Sequence, residues 1–78
     1  MDRAFLEDLG RRIRDRRAAA SLTLDQLAAR AEVDPAELEA VEAGRRNPAF
    51  TTLCQLARAL GLPVAALFDD APRSLRDP

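Results

Sequence analysis

The stretch from Thr23 to Gly44, TLDQLAARAEVDPAELEAVEAG, leaves this chain little conformational choice. Thr23 is followed three residues later by Gln26, the spacing of a capping box. The Thr hydroxyl accepts an orphan amide, and the Gln side chain reaches back to the cap's own N–H. Asp34 and Glu37 repeat the pattern, with Pro35 at the first helical position, where a missing N–H costs nothing. Gly44 supplies the left-handed residue on which a helix stops. The spacing therefore predicts helices over 24–31 and 35–43 joined by a tight turn at 32–34.

Two short capped helices joined this way form the outline of a helix-turn-helix. Leu27, Ala28 and Ala31 form the inner face of the first, with alanines small enough for a neighbouring helix to cross closely. Leu38 and Val41 point inward from the second, with Glu42 beside them, and Val33 plugs the turn. Before the motif, residues 4–19 predict a helix whose stripe runs through Phe5 or Leu6, Leu9, Ile13 and the stem of Arg17. Gly10 within it costs up to about 1 kcal/mol relative to Ala, which points to a close helix contact. Leu22 precedes the Thr23 cap, placed to staple against Leu27.

After the motif, GRRNPAF (44–50) is a connecting loop with an Asn-Pro turn signal. A fourth helix begins between Ala49 and Thr52 and runs to Leu60, with Leu53, Leu56, Ala57 and Leu60 inward and Gly61 as its stop. Thr52 with Gln55 offers a second possible start. Pro63 opens a short fifth helix over 63–68. The expected fold is thus all-α: a compact five-helix bundle over 4–68, with helices near 4–19, 24–31, 35–43, 51–60 and 63–68. Residues 69–78, with two prolines and mixed charges, are expected to be a disordered tail.

With 78 residues, this is one small domain of marginal stability, for which pairing with a second copy would help. The chain has no His and a single Cys54, so neither an internal disulfide nor a metal-ligand set is available. Cys54 is read as a small packing residue. Only Ser21 and Ser74 are serines, and neither sits in an activating context. No enzyme, no cofactor and no catalytic or metal-binding residue is expected. No apolar run is long enough to span a membrane, and the N-terminus shows no signal-peptide pattern, so a cytoplasmic protein is the default.

Charge is unevenly distributed. All twelve basic residues are Arg, and the net charge is −1. Residues 3–20 carry six arginines against three acids, whereas residues 23–43 carry one against six. Arg11, Arg12, Arg14 and Arg16 lie off the apolar stripe, forming either a solvated basic face or a phosphate-contacting one.

From Leu9 to Phe68 the chain resembles the lambda-repressor-like (Cro/Xre) helix-turn-helix family. The matching blocks are RIRDRR (12–17), SLTLDQLAARAEV (21–33), LEAVEAGRRNP (38–48) and TLCQLARALGLPVAALF (52–68), in order and without gaps. The short controller proteins of restriction–modification systems are the nearest size class. The resemblance implies a DNA-binding transcriptional regulator that binds a palindromic operator as a homodimer. Its third helix would enter the major groove while the second lies over the backbone. It places Pro35, Ala36, Glu37 and Ala40 at base-facing positions, and Thr23, Leu24, Arg45, Arg46 and Asn47 against the DNA backbone. It also implies that Arg17 and Glu42 form an ion pair tying the first helix to the third. Such a bidentate pair fits the chemistry of the two side chains.

The residues depart from the family where bases are read. Leu24 stands where a phosphate-touching Gln is usual. The four base-facing positions offer no Arg, Gln, Asn or Ser, so bidentate guanine and adenine contacts are excluded from this helix. Ala36 and Ala40 suit thymine methyls, and Glu37 or Glu39 can accept from cytosine N4. Asp34, Glu37 and Glu39 would meanwhile face a polyanion. Two functions therefore remain open: a sequence-specific regulator on double-stranded DNA, or a protein-interaction module whose acidic third helix docks on a basic partner surface. Val64, Leu67 and Phe68 form an apolar patch that either serves as the dimer interface or caps the core.

Overall fold

A computed structural model describes residues 2–68; the tail expected at 69–78 falls outside the described residues. Four α-helices follow one another: α1 (Arg3–Ala19), α2 (Leu24–Ala31), α3 (Pro35–Glu42) and α4 (Phe50–Leu60). The expected fifth helix is a 3₁₀ turn, Val64–Phe68. Five residues are too few for an α-helical bond ladder to become established, so the tighter i→i+3 pattern prevails. The bundle thus has four α-helices, not five.

Capping at the helix starts is only partly as the spacing predicts. Asp2 caps α1 by accepting from the Ala4 amide at 3.2 Å. The Thr23–Gln26 box is complete, with bonds of 3.1 and 2.8 Å. At α3, Asp34 Oδ1 accepts from the Ala36 amide at 2.9 Å, but the Glu37 carboxylate turns away from the cap. α4 starts from Ala49 with no side-chain cap. Gln55, the partner of the alternative start at Thr52, donates to the Ala31 carbonyl at 3.1 Å, where it satisfies an end group of α2.

All four helices stop in the same way. Each closes with a paired 6→1 and 5→2 set of backbone bonds: Leu22 N–H to Arg17 and Ser21 N–H to Ala18 for α1, Val33 to Ala28 and Glu32 to Ala29 for α2. Arg45 to Ala40 and Gly44 to Val41 close α3, and Leu62 to Ala57 and Gly61 to Arg58 close α4. The pivot must be left-handed, and it is Ser21 (φ 61°), Glu32 (φ 60°), Gly44 (φ 75°) and Gly61 (φ 73°). Two pivots are therefore not glycine, and these two ends carry no Gly signal in the sequence.

The core consists of Leu9 and Ile13 from α1, Leu27, Ala28 and Ala31 from α2, Leu38 and Val41 from α3, Leu53, Leu56 and Ala57 from α4, and Leu67. Val33 packs half-buried against this cluster. Phe5 does not enter it; its ring stacks on Phe68, with centroids 6.2 Å apart and planes 21° from parallel.

Gly10 and Gly44 set the crossing of α1 over α3. A Cβ on Gly10 would overlap the backbone carbonyl oxygens of Val41 and Glu42, and one on Gly44 would lie 2.8 Å from Glu7 Cα. Helix propensity alone favours Gly10→Ala by about 1 kcal/mol. The colliding atoms are backbone, however, and cannot rotate away, so overpacking prevails. Gly10→Ala is expected to lower unfolding stability by about 3 kcal/mol in urea melts. A variant as stable as the parent would refute this close crossing.

Candidate nucleic-acid interface

α3 is anchored at its C-terminal end. Glu42 sits in its last turn, with a side chain only 6 % exposed, and faces Arg17 in the last turn of α1. Arg17 Nε donates to Glu42 Oε2 at 2.7 Å and Nη2 to Oε1 at 2.9 Å, a bidentate fork. The remaining nitrogen, Nη1, donates to the Leu22 carbonyl at 3.1 Å, immediately before the α2 cap. One guanidinium thus joins α1, α3 and the entry to α2. The hydrogen bonds that Arg17 donates to Glu42 raise its pKa above the ordinary value, against burial that lowers it, with the Glu42 charge adding to the rise. A raised value means that the contribution is complete below the ordinary arginine range and is lost only as pH climbs beyond it. The anchor is therefore insensitive to pH from its cationic side.

The opposite end of α3 is free. Pro35, Ala36 and Glu39 are exposed, and Glu37 and Ala40 are half-buried. Thr23 is exposed; its hydroxyl oxygen accepts the Gln26 amide, leaving the hydroxyl proton available to an acceptor. Leu24 is half-buried against the core, so its departure from the family pattern serves packing. Arg45, Arg46 and Asn47 are all exposed in the loop that leaves α3. Arg46 also has an intramolecular partner: its Nε lies 3.8 Å from Glu37 Oε2. Capping-box spacing predicts the Glu37 carboxylate in the α3 cap; instead it engages the loop arginine, a contact across nine residues that local spacing does not reveal.

The basic face of α1 is partly neutralised along its own helix. Arg11 lies 3.6 Å from Asp8 and 3.5 Å from Asp15, and Arg3 lies 3.8 Å from Glu7. Arg16 donates to the Ala66 carbonyl at 3.4 Å, joining α1 to the 3₁₀ turn. Within that turn the three apolar residues separate. Leu67 is fully buried in its own chain, on the core-capping side of the two readings open to it. Phe68 remains 40 % exposed beside Phe5, and Val64 is half-buried. Cys54 is half-buried and unbonded to another Cys. No helix among the described residues is long and apolar enough to cross a membrane.

Two capped helices, a tight turn and a clamped second helix whose first two residues are exposed define a helix-turn-helix. A helix-turn-helix domain model matches residues 8–69, and the chain belongs to that family. Solved structures agree. The restriction-modification controller protein C.AhdI from Aeromonas hydrophila shares 34 % identity, with a TM-score of 0.82 over 83 % of this chain and 98 % of its own. The clp gene regulator ClgR from Corynebacterium glutamicum shares 34 % identity, with a TM-score of 0.80 over 91 % of this chain and 76 % of its own. An HTH_3 family transcriptional regulator from Vibrio cholerae superimposes with a TM-score of 0.85 at 28 % identity, over 96 % of this chain and 42 % of its own. No curated protein sequence gives a significant match.

The anchor makes a stability prediction. Removing one partner of a buried pair leaves the other charge uncompensated, at a cost of about 3–5 kcal/mol, whereas an apolar pair of similar volume is often neutral. Arg17→Met alone is expected to lose that much in urea unfolding, or to fail to fold. The double variant Arg17→Met with Glu42→Leu should regain most of it. A double variant as unstable as the single one would show that the pair is not the anchor.

Proposed function

We propose that this helix-turn-helix regulator binds duplex DNA as a dimer, with α3 in the major groove and one palindromic half-site per protomer. That the chain is a DNA-binding regulator follows from its family and from its likeness to structures described as a controller protein, a gene regulator and transcriptional regulators. None of these favours the alternative of an acidic protein-docking module, and they are regulators rather than enzymes. The observation that carries the proposal is the division of α3. Its C-terminal end is fixed by Gly10, Gly44 and the Arg17–Glu42 fork, whereas Pro35, Ala36 and Glu39 are presented outward. In this motif those N-terminal residues meet base edges.

In the bound state, Arg45, Arg46 and Asn47 hold phosphates, with Thr23 and the start of α2 on the backbone. Pro35, Ala36, Glu37 and Ala40 line the groove. Ala36 and Ala40 offer methyl-to-methyl contacts to thymine. Phe68, with Phe5 stacked on it, and Val64 supply the apolar surface through which two copies meet. Two half-sites then lie about 34 Å apart.

Selection from a random-sequence duplex library, followed by anisotropy titration of the enriched duplex in a salt series, tests this reading. A dimer that places both loop arginines of each protomer on phosphate should show a log–log slope of about −3 to −4, at roughly −0.9 per phosphate. Sedimentation of the protein on that duplex should give two chains per site, and Phe68→Ser should shift the free protein to monomer. A flat salt response with no enriched sequence would refute DNA binding; enrichment with one chain per site would refute only the dimer.

A further inference from the structure

Glu37 and Arg46 bring two jobs into one contact. Glu37 is the third residue of α3, in the half of the helix that meets base edges, and Arg46 is a loop arginine available to a phosphate. Their ion pair spans 3.8 Å, with side chains 28 % and 59 % exposed respectively. We propose that Glu37 is a specificity-determining residue that holds Arg46 off the phosphate backbone until a cytosine amino group takes its place at the carboxylate. This inference rests on the DNA-binding reading above.

The chemistry follows from what each group can exchange. A carboxylate is acceptor-only. In the major groove, guanine offers two acceptors and thymine an acceptor and a methyl, so both oppose Glu37. Adenine sets its donor beside an acceptor, and cytosine N4 is a donor without one. On a cytosine, Glu37 is satisfied by the base, and the arginine is released to a phosphate. On any other base, the carboxylate keeps the arginine. The pair then meets the polyanion as a neutral unit and displaces no counterion. An ion pair this exposed is weak, so release is cheap enough for one base contact to drive it. The first turn of α3 holds no second cation to substitute for Arg46, because Asp34 and Glu37 are its charged residues.

A double-variant cycle tests this with wild type, Glu37→Gln, Arg46→Gln and the two combined; Glu37→Gln conserves size at a half-buried position, and Arg46 is exposed. Each protein is titrated by anisotropy against one non-selected duplex in a salt series. Glu37→Gln is expected to tighten binding about two- to fivefold when Arg46 is present, and to steepen the salt slope by about 0.9 per protomer. In the Arg46→Gln background, the gain should shrink and the slope should not change. An equal or larger gain in that background overturns the proposal, since Glu37 would then merely repel DNA while Arg46 screens it. In library selection, wild type should enrich one cytosine per half-site, and Glu37→Gln should lose that preference. Wild type enriching a site with no such cytosine overturns the inference while leaving DNA binding intact, and wild type binding no duplex at all overturns both.

Discussion

The crossing of α1 over the C-terminal end of α3 is the constraint on which the rest depends. Two glycines remove the side chains that would hold the helices apart, and Arg17 then closes on Glu42 with a fork at 2.7 and 2.9 Å. The pieces require one another. Without the close approach, the fork could not reach a carboxylate that is 6 % exposed. Without the guanidinium, Glu42 would be a buried, uncompensated charge. Because the third nitrogen of Arg17 also takes the Leu22 carbonyl, the clamp fixes the entry to α2 as well as the exit from α3. The mutual angle of α2 and α3, which defines the motif, is therefore set from outside it.

An acidic α3 on a chain of net charge −1 is an awkward partner for a polyanion, and the structure shows where those acids are engaged. Asp34 is used as a cap, Glu42 is consumed by the clamp, and Glu37 is paired. Only Glu39 among the acids of α3 is exposed without such a role. On the basic side, Arg11 is shared between two aspartates, and Arg16 and Arg17 are spent on tertiary bonds. Net charge over a window thus overstates both the acidity of α3 and the basicity of α1, and the distribution of partners matters more than the count.

Much of this was legible in the sequence. Apolar spacing located the core stripes, and the Thr23–Gln26 and Asp34–Pro35 signals located the starts of the two motif helices, because capping is local chemistry. Gly10 stood out as an unfavourable residue whose explanation had to be a neighbour. What escaped was non-local or lacked a marker. The 3₁₀ geometry of Val64–Phe68 follows from the shortness of a five-residue turn, which apolar spacing alone does not reveal. The turning of Glu37 from the cap to Arg46 depends on where the loop after Gly44 places that arginine. Gln55 looked like half of a second helix start and proved to serve the end of a different helix. Apolar spacing places Phe5 or Leu6 on the core stripe, and the stacking of Phe5 on Phe68 at the surface is a contact across the chain that local spacing does not reveal.

The common helix stop has a consequence for how this protein can change over generations. Four ends use one geometry, but Ser21 and Glu32 adopt it with a side chain present, a conformation that disfavours non-glycine residues by roughly 1–2 kcal/mol. Gly61 shows that nothing need crowd such a position, whereas Gly44 is also held to glycine by Glu7. The first two stops are thus points where a single replacement by glycine would relax the backbone without disturbing a contact of the clamp. A lineage carrying a harmful change on the exposed face of α3 would have compensating steps available elsewhere in the chain. Altered operator preference and restored stability could then arise in either order.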